Sequence, residues 1–278
     1  MGLKKIILLG GPTASGKSKL ALKLAKILNG EIINADSMQI YKDFLILSSR
    51  PLPKDENKIR HHLYGFQSSK KNFSTGQWLK MAKKQINYCI KKKKIPIIVG
   101  GTGLYFKAIT NGLTKIPHIK NSQRKNIRNL QKKLGQKKFY QKLLKLDPYS
   151  IGKINPTDTQ RSIRAYEVKM FTKKSLHEWF KNTKSNFTED DFFKVYIDYP
   201  RQELIKRINL RTRKMIENGA IKEVKKFIKL KVKKDKSAYK AIGVMEIKDY
   251  LNKEKDLEQI KEKIAIKTRQ YAKRQSTW

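Results

Sequence analysis

Nine residues near the start of the chain, Gly10-Gly11-Pro12-Thr13-Ala14-Ser15-Gly16-Lys17-Ser18, have the types and spacing that hold a phosphate. From Gly11 they fit G-x-x-x-x-G-K-[ST], in which glycines let the backbone curl so that successive N–H groups turn inward on an anion. Lys17 would reach the terminal phosphate and Ser18 would hold Mg²⁺. A helix beginning near Gly16 would aim its positive end at the same charge. The pattern does not say which phosphate compound is bound or what is done to it. Asp36, in Asp36-Ser37-Met38-Gln39-Ile40-Tyr41, places a carboxylate where open α/β sheets bind ligands; its plainer role would be to cap the next turn. A second glycine turn, Gly100-Gly101-Thr102-Gly103, is either another wall of the pocket or a tight strand-to-helix turn. Arg161 and Arg164, beside Gln160 and three apart on one helix face, suit phosphate contact or a solvated face. His61-His62 is the only histidine pair. Neighbours point apart and no cysteine or carboxylate completes a ligand spacing, so no metal site is expected there.

The elements needed to position these groups can be read from periodicity. Ile6-Ile7-Leu8-Leu9 is a short strand, and Leu20, Leu24, Ile27 and Leu28 mark a helix after the loop. Glu31-Ile32-Ile33-Asn34-Ala35 is a second strand ending at Asp36. Residues 42–75, with Pro51 and Pro53, read as irregular. Trp78, Met81, Ala82, Gln85, Ile86 and Cys89 recur at helical spacing between Gln77 and Lys91, and Ile95–Val99 is a strand with its proline near the start. From Thr114 to about Asp190 strand signals vanish; Leu134, Leu143, Leu144 and Leu146 are apolar positions among many lysines. Phe192–Ile197 returns to the sheet, and helices follow over Arg201–Asn218, Ala220–Lys231, Ala238–Asn252 and Leu257–Ala272. In the last, Ile260, Ile264 and Tyr271 form a packed stripe beside a basic edge of Lys263, Lys267 and Arg274. The expected fold is therefore α/β: a P-loop core with a mainly parallel sheet, residues 1–115 and 191–278, and an all-helical insertion, residues 116–190.

The chain has 278 residues, 65 basic against 23 acidic, for a formal charge of +42. That excess suits a polyanion such as nucleic acid. A compositional bias toward lysine would produce the same number without any partner. One cysteine excludes an internal disulfide framework and suits a reducing cytosol. No apolar run approaches the roughly 20 residues of a membrane span, and Met1–Lys5 enters the first strand too soon for a signal peptide.

Taken in order, these segments resemble the bacterial tRNA dimethylallyltransferases, also called tRNA isopentenyltransferases. The resemblance rests on Gly11–Ser18, Asp36–Tyr41, His61-His62-Leu63, Ile97–Tyr105, Asn155-Pro156-Thr157-Asp158, Gln160-Arg161 through Arg164-Ala165, Ala241-Ile242-Gly243 and Thr268–Gln275, and so spans nearly the whole chain. It implies transfer of a dimethylallyl group from dimethylallyl diphosphate to N6 of adenosine 37, beside the tRNA anticodon, with release of diphosphate. By the same resemblance Gly11, Pro12, Thr13, Ala14, Ser15, Gly16, Lys17 and Ser18 hold the diphosphate, Ser18 with Mg²⁺. Asp36 is implied as general base, and Lys17, Thr102 and Arg211 lie at the reacting centre. Asp36, Ser37, Met38, Gln39, Thr102, Arg124, Gln160, Arg161, Ser162, Ile163 and Arg164 fall at tRNA-contacting positions. The implied partner is the anticodon stem-loop, and the implied state a cytoplasmic monomer. The chain departs from the family pattern at Leu47, where glycine is usual, at Val244 in place of tyrosine, and at Asn209 in place of an acidic residue. Two other readings of the loop are a P-loop small-molecule kinase using ATP and a non-catalytic RNA-binding P-loop protein.

Overall fold

Parallel strands covered on both faces read as continuous apolar runs rather than alternating ones. β1 (Ile6–Gly10), β2 (Gly30–Ala35) and β4 (Ile95–Gly100) are of this kind and are almost wholly buried. They belong to a computed structural model that describes residues 5–52 and 59–277. With β3 (His61–His62) and β5 (Phe192–Tyr196) they form a parallel sheet in the order β3-β2-β4-β1-β5. Ala35 lies opposite Gly100, and Gly10 opposite Tyr196, so the carboxyl ends of these strands share one edge and their following loops meet there. α1 (Lys17–Ile27) follows β1, α2 (Thr75–Lys91) precedes β4, and α3 (Gly103–Asn111) leaves the second glycine turn.

By internal packing the chain divides into two units, Met1–Thr110 with Phe187–Trp278, and Asn111–Asn186; the helical pattern of the sequence had suggested 116–190 for the second. That unit contains α4 (Asn121–Leu146), which kinks at Gly135 (φ 71), α5 (Thr159–Thr172) and α6 (Leu176–Lys181). Phe139, Leu143, Ile154 and Tyr166 form its core. The carboxylate of Asp158 caps α5 by accepting the Arg161 N–H at 2.9 Å.

The first unit closes with α7 (Arg201–Glu217), α8 (Ala220–Lys229), α9 (Val244–Leu251) and α10 (Leu257–Ser276). They share a core with the segment that follows β2, through Tyr41, Phe44 and Leu47. Leu47 is buried, and its side chain fills the space that a Cβ at Gly243 would need, at 2.6 Å. Leu47 thus packs against the bare backbone of Gly243, a glycine that belongs to the family pattern. Val244 is buried as the first residue of α9. Asn209 accepts a hydrogen bond from Arg269 at 3.3 Å.

Four expectations need correction. His61-His62 is not irregular: it pairs with Ile32-Ile33 as an edge strand. Nor does the pair stand apart from other ligand types. The sheet brings Glu31 beside His62 (Oε2 to Nε2, 2.5 Å), and α2 brings the buried Cys89 thiol to the same carboxylate at 3.7 Å. Burial first, then the neighbouring Glu31, pushes that thiol up to about 12, which keeps it a neutral donor. In α1 the deeply buried face is Ala21 and Ala25, flanked by Leu20 and Leu24, while Ile27 is 77% exposed. The expected helix Ala238–Asn252 is broken: a 3₁₀ turn, Ser237–Lys240, precedes α9, because Gly243 takes a left-handed conformation (φ 104). Residues 1–4, 53–58 and 278 lie outside the described residues, and with them Pro53 of the irregular stretch and all but the last residue of Met1–Lys5.

Candidate active site

The turn from β1 to α1 has the backbone that a phosphate cradle requires. Gly11 (φ 142) and Gly16 (φ 95) take conformations that side chains disfavour, and Gly11 lies so close to Ile197 that a Cβ would meet its carbonyl oxygen at 3.0 Å. Gly16 is the N-cap of α1, so the helix's unpaired N–H groups open into the loop. Lys17 curls back and donates to the Pro12 carbonyl at 2.5 Å. Burial lowers its pKa to about 8, against which the nearby Asp36 carboxylate pulls upward and Arg211 downward. Arg211, from α7, donates to the Thr13 hydroxyl at 2.7 Å, and burial lowers its pKa while Asp36 raises it. The Ser15 hydroxyl is buried and has no hydrogen-bond partner among the described residues. An unsatisfied donor, a desolvated ammonium and a helix N-terminus in one turn suit an anion.

Opposite the loop, the end of β2 is locked by Asn34, a fully buried polar residue that sequence reading passed over. Its side chain accepts the Asp36 N–H at 2.8 Å and donates to the carbonyls of Asp36 (3.0 Å) and Leu63 (2.9 Å). Its own carbonyl accepts the Trp78 indole N–H at 2.7 Å. Asp36 in turn accepts the Met38 N–H at 2.8 Å, the turn-capping bond of the plainer reading, while its charge still reaches Lys17 and Arg211. Capping and chemistry are therefore compatible. Thr102, in the second glycine turn, accepts the Ser37 N–H at 2.9 Å, which joins that turn to the segment bearing Asp36. Gln39 spends its amide N–H groups on the carbonyls of Ser48 (3.0 Å) and Ser49 (3.1 Å).

These groups surround a cavity of about 470 Å³. Thr13, Lys17, Ser18, Asp36, Ser37, Met38, Gln39 and Arg211 all line it, as does Gly100 at the start of the second turn. The structure adds cations that the sequence did not single out, Arg207 and Lys240, and Arg274 from the basic edge of α10. The rest of that edge is partly spent: Lys267 pairs with the buried Glu246, and Lys263 lies 3.9 Å from Asp249. Glu223 was also missed. Its carboxylate accepts the N–H groups of Leu45, Ile46 and Leu47, between 2.8 and 3.3 Å, and so holds the loop beneath the cavity.

Arg124, Gln160, Arg161, Ser162, Ile163 and Arg164 belong to the helical unit. Gln160 and Arg161 are exposed, the latter paired with Asp158 at 3.2 Å. Arg124 and Arg164 converge on one buried carboxylate, Glu167, at 3.2 and 3.3 Å. Ser162 and Ile163, expected at tRNA-contacting positions, have buried side chains, the Ser162 hydroxyl donating to the Asp158 carbonyl at 2.7 Å.

The sequence model of the IPP transferase family matches residues 39–278, beginning three residues after Asp36. The chain belongs to the IPP transferase family. Among its relatives, the tRNA dimethylallyltransferase of Pelagibacter ubique (strain HTCC1062) is 58% identical over 274 residues, 99% of this chain and 88% of the relative. That of Rickettsia massiliae (strain Mtu5) is 44% identical over 99% of this chain and 76% of the relative. A crystal structure of a eukaryotic dimethylallyltransferase acting on tRNA superposes with a TM-score of 0.85 at 28% identity, covering 99% of this chain and 69% of that one. The full-length tRNA isopentenylpyrophosphate transferase of Bacillus halodurans gives 0.70 at 30% identity, over 99% and 86%. The family match starts after Ser18, so the phosphate loop rests on its own residues and backbone as well as on these relatives. Neither the kinase nor the non-catalytic reading is favoured by this membership. No helix among the described residues is long and apolar enough to cross a membrane.

Proposed function

We propose that this IPP transferase moves the dimethylallyl group of dimethylallyl diphosphate onto the N6 amine of the adenosine beside a tRNA anticodon, acting as a monomer and releasing diphosphate. One observation carries the reading: a single cavity holds a phosphate loop with a desolvated lysine on one side and a locked carboxylate on the other. As the allylic C–O bond breaks, charge gathers on the leaving diphosphate. The loop N–H groups, Lys17 and Arg211 then stabilise the transition state more than the bound substrate. Met38 holds one oxygen of Asp36, and the other accepts the N6 proton as the C–N bond forms. Ser18, which lines the cavity, would with the diphosphate hold Mg²⁺, whose charge would neutralise the leaving group. The target base has to leave its loop to enter, which costs less from an anticodon loop than from a duplex. Arg124, Gln160, Arg161 and Arg164 of the helical unit are proposed to grip the anticodon arm.

The test is incubation with labelled dimethylallyl diphosphate and an anticodon stem-loop, with and without adenosine at the position beside the anticodon. Label is expected in the adenosine-bearing RNA alone. Phosphate passing from ATP to a small molecule, with no labelled RNA, would replace this reading with the kinase.

Lys17 also sets a pH dependence. Its ammonium is charged below about pH 8 and meets the diphosphate directly; above that, binding must bring a proton with it. The Kd for dimethylallyl diphosphate is expected to be flat up to about pH 8 and then to rise, approaching tenfold per pH unit. Calorimetry in buffers of different ionisation enthalpy should show proton uptake over the same range. A Kd unchanged from about pH 7 to 9.5 contradicts the assignment.

A further inference from the structure

Gln275, near the end of α10, is only 5% exposed, yet both ends of its amide are in use. Its Oε1 accepts the Thr13 N–H of the phosphate loop at 2.7 Å, and its Nε2 donates to the Gly101 carbonyl of the second glycine turn at 3.0 Å. Tyr271, one turn earlier, places its phenol against both Gln275 and Thr102. Gly101 has the shape this contact needs: a Cβ there would lie 1.8 Å from Nε2. The amide thus links two groups that are each already tied into the chemistry. Thr13 carries the Arg211 guanidinium, and the turn after Gly101 carries Thr102, which holds the backbone beside Asp36.

We infer that Gln275 is a positioning residue that sets the separation between the phosphate loop and the strand end bearing Asp36. It would thereby fix the allylic carbon relative to the incoming amine. The inference rests on the proposed transfer reaction, in which the loop holds the leaving group and Asp36 receives the proton. Only a side chain with an acceptor and a donor on one planar group can satisfy both turns. Methionine of similar length satisfies neither, and glutamate keeps the acceptor for Thr13 but sets a carboxylate oxygen against the Gly101 carbonyl. Once both substrates are bound, an error of an ångström in their separation costs rate rather than affinity.

The full-length protein is compared with Gln275→Met, Gly101→Ala and the double variant, after checking each by circular dichroism and thermal melting. Readouts are the Kd values for dimethylallyl diphosphate and for the stem-loop, and the single-turnover rate with both prebound. Gln275→Met is expected to lower that rate by up to about 10²-fold while both Kd values stay within about threefold. Gly101→Ala breaks the same contact from the other side, so its loss and that of Gln275→Met should not multiply; the double variant should be no slower than the worse single one. If Gln275→Met does not fold, Gly101→Ala carries the test alone through the same split between rate and affinity. A parental rate in either variant overturns the inference, as do multiplying losses or a defect confined to Kd. A parent protein that transfers nothing to RNA overturns the proposed reaction, and the inference with it; a parent that transfers normally isolates any failure to Gln275.

Discussion

Asp36→Asn is expected to slow transfer between prebound substrates by about 10²–10⁴-fold, with the Kd values for dimethylallyl diphosphate and RNA within about threefold of the parent. The substitution suits the question because it preserves nearly everything else at the strand end. Asparagine offers an oxygen to the Met38 N–H much as aspartate does and caps a turn nearly as well. The bonds from Asn34 to residue 36 go to its backbone and are untouched. What disappears is the capacity to take a proton, together with the negative charge that faces Lys17 and Arg211. Loss of that charge should, if anything, tighten diphosphate binding, so a fall in rate cannot be mistaken for lost substrate. Single-turnover measurement excludes product release as the slow step. A rate within about threefold of the parent removes Asp36 as the base and leaves it the role of a cap.

Lys17→Ala is expected to raise the Kd for dimethylallyl diphosphate by about 10–150-fold, the worth of one charge-assisted bond to a buried anion, about 1.5–3 kcal/mol. The transfer rate should fall further, since charge grows on the leaving diphosphate during the reaction. The ammonium donates to the Pro12 carbonyl of the same loop, in a site whose burial lowers its pKa, so the charge it loses on substitution is one held against the loop backbone. Arginine should not rescue the loss, because a planar fork does not fit a point contact beneath a tight loop. Equilibrium binding together with single-turnover kinetics decides the matter. A variant with parental affinity and rate takes the phosphate loop out of the mechanism.

The contrast between these two residues and Gln275 shows what could be read in advance. The phosphate loop is a local object: nine consecutive residues dictate its backbone, and the apolar run before it and the helix after it are encoded alongside. Asp36 was legible for the same reason, as the last residue beyond a short buried strand. Asn34 was not, since a polar residue within an apolar strand looks like an interruption until Trp78 and Leu63 arrive to satisfy it. Glu31, His62 and Cys89 carried no joint signal because a strand, a two-residue edge strand and a helix had to pack before they met. In α1, spacing alone weighted Leu20, Leu24, Ile27 and Leu28 equally, whereas close packing against the sheet selects the small Ala21 and Ala25. The burial of Ser162 and Ile163 was likewise not legible from a run of matching positions, because which residues of a helix turn inward depends on what packs against it.

The bond from Thr13 to Gln275 joins residues 262 apart in the chain. At about 5–20 residues per second, a ribosome makes the second partner roughly 13–50 s after the first. Through that interval the growing chain carries a phosphate loop and the Asp36 strand but lacks α10, whose Tyr271, Arg274 and Gln275 complete the cavity wall. A nascent chain of this protein is therefore expected to transfer nothing to RNA until α10 clears the ribosome, and activity to arise in a single step at that point rather than by degrees.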